Sequence, residues 1–138
     1  PDRFRAILAG VPFVDALTTI LDASLPLTVG EWEEWGNPIE SQEVYRYMQS
    51  YSPTENVGRR EYPAILATTS LNDVRVFYVE PTKWIQILRE RATNDPMARP
   101  ILEKVEMVAG HGGKSGRYDA WRERAFEIAW MLDQIDAA

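Results

Sequence analysis

Residues 62–73 read YPAILATTSLND. An apolar run, Tyr62–Thr69 with Ile65 and Leu66 at its centre, passes into the polar segment Ser70-Leu71-Asn72-Asp73. A helical pattern then starts at Val76. A short continuous apolar run bounded by turn residues reads as a buried strand. The same grammar repeats downstream. Ile101–Val108 alternates, with Ile101, Val105 and Met107 on one face and Lys104 and Glu106 on the other. It leads through the glycine-rich segment Gly110–Gly116 into a second helical pattern. Upstream, Phe4–Val11 is a third such strand, closed by Pro12.

The helical segments differ in strength. Tyr118–Ile135 places Tyr118, Trp121, Ala125, Ile128, Ala129, Leu132 and Ile135 on one stripe, which predicts an amphipathic helix. Val76–Arg91 carries Phe77, Trp84, Ile87 and Leu88, and Pro81 must lie near its first turn or break it. Ile39–Met48 is a weaker amphipathic helix, with Tyr45, Tyr47 and Met48 expected to pack. Asp22–Pro38, rich in Trp, Glu, Gly and Pro, reads as irregular. Strand, long insertion, strand, helix, strand, helix is an α/β pattern. It predicts about three parallel strands with flanking helices over residues 1–138. Ligands of such sheets gather beyond the carboxyl ends of the strands. Asp73 and Gly110–Gly116 both lie there.

Bulk properties narrow the function. The 138 residues, 45% of them hydrophobic, suffice for one compact unit with a core. The net charge of −6 argues against a nucleic-acid partner and mildly favours cationic ligands. No apolar run is long enough for a membrane helix, and the first residues lack the plan of a signal peptide. The chain has no cysteine, which excludes disulfides and fits a reducing cytoplasm.

The only histidine, His111, sits in GHGGKSGR, residues 110–117. A phosphate loop needs a glycine where Val108 stands, so that reading fails on spacing. A zinc site fails on inventory, since one His without Cys cannot supply the usual donors. Two readings stay open. One is a solvated loop histidine beside a tight turn. The other is a catalytic base. The second gains from chain order: in α/β-hydrolases an acid follows a late strand, and the His follows the last strand before the final helix. Asp73 and His111 hold those places. No Gly-x-Ser-x-Gly elbow occurs; in that order it would lie upstream of Phe4–Val11, before Pro1. Ser115 follows the wrong strand, and Lys114 and Ser115 read as loop and cap residues.

Several stretches together resemble one family. VPFVD (residues 11–15), LPLTVGEWEEWGNP (25–38), YSPTENV (51–57), NDVRVFYVEPTKW (72–84) and GHGGKSGR (110–117) occur in the order found in the oligopeptidase B branch of the prolyl oligopeptidase family of serine peptidases. The resemblance covers nearly the whole chain. It implies the C-terminal portion of an α/β-hydrolase catalytic domain, without the nucleophile-elbow half or a β-propeller. It implies Asp73 as triad acid and His111 as triad base. It implies Arg75 as a ligand of a substrate carbonyl, and Glu31 and Glu33 as the carboxylates that select Arg or Lys. The implied partners are short basic peptides, the location is cytosolic and no cofactor is needed. Chemically, carboxylates interleaved with Trp32 and Trp35 suit a guanidinium, although EWEEW also reads as a solvated acidic loop. Arg75 also reads as a surface ion pair. Arg59, Arg60, Arg89 and Arg91 read as solvated. An esterase or lipase of the same fold, or a non-catalytic peptide-binding relative, remain alternatives. Without the serine, the 138 residues alone are expected to be inactive. They are also expected to self-associate through the open Phe4–Val11 edge or an uncovered sheet face.

Overall fold

The computed structural model describes residues 3–136; Pro1, Asp2, Ala137 and Ala138 lie outside the described residues. Three parallel strands form one sheet in the order β1 (Ala6–Gly10), β2 (Ala64–Ser70), β3 (Ile101–Glu106). Ala6 pairs with Ala64, and Ile65 with Ile101. The run that decided the fold is the central strand. Ala64–Ala67 are all buried, as a continuous apolar segment with neighbours on both edges must be.

Three short helices fill the long insertion: α1 (Ala16–Ile20), α2 (Thr28–Trp35) and α3 (Gln42–Tyr51). The stretch expected to be irregular thus contains a helix. Pro26 precedes it. Gly36, at φ +89°, ends it and donates its N–H to the Trp32 carbonyl at 2.9 Å. A Cβ on Gly36 would come within 2.8 Å of a Val44 methyl, so glycine is required there twice over. Helix α1 was not anticipated. These helices share a small core of Leu17, Ile20 and Met48, with Trp32, Trp35, Val44 and Tyr45 packed against it. Met48 is fully enclosed, whereas Tyr47 is 69% exposed and not the packing residue expected.

Helix α4 (Val79–Arg91) follows β2, with Pro81 in its first turn as its fixed φ permits. It packs Ile85 and Leu88 on Ile65, Ala67 and Ile101 of the sheet. Burying each such side chain contributes on the order of 2 kcal/mol. Arg89 and Arg91, read as solvated, instead donate to the carbonyls of Ile101 and Val57 and tie the sheet's far end.

Helix α5 (Arg117–Gln134) is turned opposite to expectation. Its half-buried positions include Glu123, Glu127 and Trp130, and Gln134 is buried. The expected apolar stripe faces outward, with Tyr118, Trp121 and Ile128 each more than half exposed. Lys104, on the polar face of β3, meets the inward face of the helix. Its ammonium reaches Glu123 at 2.7 Å and lies over the Phe126 ring. At the other end of the helix the Arg5 guanidinium donates to the Gln134 carbonyl at 2.9 Å.

Among the described residues no helix is long and apolar enough to cross a membrane. The outer side of β1 has no strand partner among them either. The isolated 138-residue chain is therefore expected to self-associate through this edge or the outward stripe of α5. Light scattering over a concentration series checks it. A strict monomer with exchange-protected β1 amides would show that the edge is covered from within.

Candidate active site

The acid loop follows β2 and the base loop follows β3, so adjacent parallel strands deliver both to one end of the sheet. Backbone bonds then join the loops. Leu71 N–H donates to the Glu106 carbonyl at 2.8 Å, Asn72 N–H to the Ala109 carbonyl at 3.3 Å, and the Asn72 side-chain amide to the Val108 carbonyl at 3.0 Å. Gly110 passes close beneath: a Cβ there would meet the Asn72 carbonyl oxygen at 3.3 Å. The base loop turns tightly, with Gly113 N–H donating to the Gly110 carbonyl. Gly113 and Gly116 both have positive φ, +74° and +108°. A residue with a side chain at such a position costs about 1–2 kcal/mol. The glycines around His111 therefore serve a tight turn. Lys114, expected to be a plain loop residue, anchors this turn to β3 through Glu106 at 2.7 Å. Ser115 makes no helix cap; Gly116 is the N-cap of α5 and has no side chain to bond.

Within this frame Asp73 Oδ2 lies 2.8 Å from His111 Nδ1. Asp73 is 2% exposed. Its other oxygen accepts from the backbone N–H of Arg75 at 2.8 Å and of Val76 at 3.0 Å. Burial pushes the carboxyl upward, but those two N–H groups and His111 more than offset it and hold the group below its ordinary value. An ionised Asp73 accepts from Nδ1–H, which sets the tautomer and leaves Nε2 as the free acceptor. The His111 side chain is 40% exposed, so Nε2 can be approached.

His111 lines two cavities. One, of about 240 Å³, is walled by Phe13, Leu25, Pro26, Trp35 and Phe77, and Glu31 and Arg75 are its charged groups. The other, of about 370 Å³, lies between the strand ends and α5 and carries Lys104, Glu106, Glu123 and Arg124. The first brings together four of the five residues named from sequence: Glu31 and Arg75 directly, and His111 with Asp73 behind it. Neither Glu31 nor Arg75 has an ion-pair partner among the described residues. Arg75 is thus not the surface ion pair that was its plain alternative.

Glu33 is not brought there. It is exposed and does not line the cavity. A spacing of two residues puts side chains on one side of a strand, but about 200° apart on a helix. Because EWEEW is helical, Glu31 and Glu33 point apart. Sequence reading also missed Phe13, Leu25 and Phe77 as walls. Their signal was weak: Phe13 and Leu25 look like ordinary packing, and Phe77 reads as part of the helical pattern that in the structure begins only at Val79. Among the described residues no cluster of His, Asp and Glu is arranged to hold a metal ion.

Comparison with known proteins gives this geometry its setting. The chain matches the prolyl oligopeptidase family over residues 1–138. It is 48% identical over 134 residues to protease 2 of Moraxella lacunata, covering 97% of this chain and 19% of that protein. It is 46% identical over 138 residues to dipeptidyl aminopeptidase BI of Pseudoxanthomonas mexicana, covering 100% and 18%. It superposes on oligopeptidase B from Leishmania major with a TM-score of 0.93 at 47% identity, covering 99% of this chain and 18% of that one. On oligopeptidase B from Trypanosoma brucei, in its closed form with covalently bound antipain, the TM-score is 0.91 at 46% identity, covering 99% and 19%. The chain thus spans less than a fifth of the length of these relatives. Its three parallel strands and flanking helices are a portion of an α/β-hydrolase fold, and the chain belongs to the prolyl oligopeptidase family.

Proposed function

We propose that this chain is the part of a serine-type oligopeptidase that supplies the acid, the base and the site for a basic side chain, in an enzyme cleaving short peptides after Arg or Lys. The observation that carries the reading is the Asp73–His111 contact of 2.8 Å at the mouth of a cavity whose charged groups are Glu31 and Arg75. An unpaired carboxylate among Trp35, Phe13 and Phe77 rings offers a guanidinium both a directional charge pair and aromatic faces.

In this mechanism His111 Nε2 takes the proton of a serine hydroxyl as its oxygen bonds to the scissile carbonyl carbon. The imidazolium, stabilised by Asp73, then gives that proton to the departing amine as the C–N bond breaks. Water repeats the sequence on the acyl-enzyme, and the serine is regenerated. Arg75 holds a carbonyl oxygen of the bound peptide. The 138 residues contain no Gly-x-Ser-x-Gly, so the nucleophile and the oxyanion donors are assigned to another part of the polypeptide, and the 138 residues alone are expected to be inactive. A cytoplasmic location is proposed on the family resemblance alone. Glu33 stays outside the proposed site.

Steady-state rates of the full-length polypeptide on arginyl amides and on simple uncharged esters test the reading. A strong preference for the arginyl amide is expected. Equal or better turnover of esters would favour the esterase alternative. No turnover of either, with no serine elbow elsewhere in the polypeptide, would favour a peptide-binding relative.

A further inference from the structure

Glu80 bonds to neither Asp73 nor His111, yet it is as buried as Asp73, at 2% exposure. A carboxylate removed from water needs donors for its oxygens. Here three converge. Oε2 accepts from the backbone N–H of Val14 at 3.2 Å and of Asp15 at 3.0 Å, and Oε1 accepts from the Thr19 hydroxyl at 2.6 Å. Val14 and Asp15 lead directly into α1, and Thr19 lies on it. The N-cap residue of α1, Asp15, makes no side-chain cap bond of its own. Its side chain is engaged with Lys83 and Thr18 instead. Glu80 therefore caps α1 from a different helix. The segment it holds follows Val11, a β-branched residue at φ +44°. Such backbone persists only where its surroundings fix it.

Helix α1 passes the constraint on. The Thr28 hydroxyl donates to the Thr19 carbonyl at 3.0 Å, and the Trp32 indole N–H donates to the Ile20 carbonyl at 3.0 Å. Both donors lie on α2, one on each side of Glu31 in sequence. Thr19 itself lines the Glu31 cavity. On the other side, Glu80 sits in the first turn of α4, directly after the loop in which Val76 N–H holds Asp73. Beside the Lys83–Asp15 ion pair, Glu80 is thus a buried polar link between the segment that carries the acid and α1, on which the Glu31-bearing α2 rests.

We propose that Glu80 is a positioning residue for the basic-side-chain site, holding α1, and through it α2 and Glu31, at a fixed distance from Asp73 and His111. This rests on the cavity assignment made above.

The test uses the full-length polypeptide and reads kcat/KM on an arginyl amide and on an uncharged ester. Glu80→Ala is expected to lower the arginyl rate about tenfold more than the ester rate, as a misplaced positioning group does. Glu80→Gln keeps one oxygen for the two backbone N–H groups and an amide N–H for the Thr19 hydroxyl. It is expected to stay within about threefold of wild type on both substrates. Parallel loss on both substrates, or equal loss in the Ala and Gln variants, would overturn the proposal, because a purely structural carboxylate gives those results. If Glu80→Ala does not fold, Glu80→Asp keeps the charge but shortens the reach to the three donors. A selective arginyl loss of about threefold is then expected, and an unselective one overturns the proposal. Glu31→Gln runs alongside. A selective effect there without one at Glu80 sinks the positioning role alone. No selective effect at Glu31 sinks the cavity assignment, and the role of Glu80 with it.

Discussion

Glu31→Gln in the full-length polypeptide is expected to cut kcat/KM for arginyl amides by roughly 2–5 kcal/mol, about thirtyfold to several thousandfold, while uncharged esters lose little. The magnitude follows from the setting. Glu31 is half-buried, has no ion-pair partner among the described residues and lines a cavity with aromatic walls. An exposed carboxylate would be screened and worth far less. The neighbouring Glu33 supplies that control, since Glu33→Gln on the outer face of α2 is expected to change the arginyl rate by no more than about twofold. Measuring both variants on both substrates decides the matter. Equal loss on amide and ester would mean that Glu31 supports the helix and not the cavity.

Asp73→Asn is expected to have the larger effect on the chemical step, about 10⁴-fold in kcat on every substrate. The amide preserves shape but can present its NH₂ to Nδ1, which favours the tautomer with the proton on Nε2, where it cannot accept. The same variant has a signature in stability. Because the folded-state value of Asp73 lies below its ordinary one, its contribution is present above the ordinary carboxylate range. That contribution is lost as pH falls through the folded value. Wild type should therefore lose stability in acid more steeply than Asp73→Asn. Denaturant midpoints measured down the acid limb check this, and a parallel pH response of the two proteins would mean that Asp73 titrates alike in the folded and unfolded states.

The sequence revealed the sheet because its strands are short apolar runs, and β2 is legible since both its faces and both its edges are buried. Asp73 and His111 were legible because parallel topology alone puts the ends of β2 and β3 together. What was hidden depends on contacts far along the chain. Helix α1 is five residues long, below what local propensity can announce. The outward turn of α5 goes with ties to Lys104 and Arg5, which no helical periodicity contains. Glu31 and Glu33 looked alike in sequence and part company only once EWEEW is wound into a helix. Glu80 gave no signal, since a glutamate in the first turn of a helix is the most ordinary of residues. Its burial, not its identity, sets it apart.

The register of the sheet also orders events in time. Ala6 must find Ala64, and Ile65 must find Ile101, with no tight turn joining any two strands. Closing such long loops costs entropy before any strand bond offsets it, so parallel pairing of this kind is slow. The cluster of α1, α2 and α3 is built from nearer neighbours and can collapse on the microsecond scale. Asp73 and His111 hang from the ends of β2 and β3, and they meet only when those strands have paired. A refolding chain is thus expected to assemble the α1–α3 cluster before Asp73 and His111 meet.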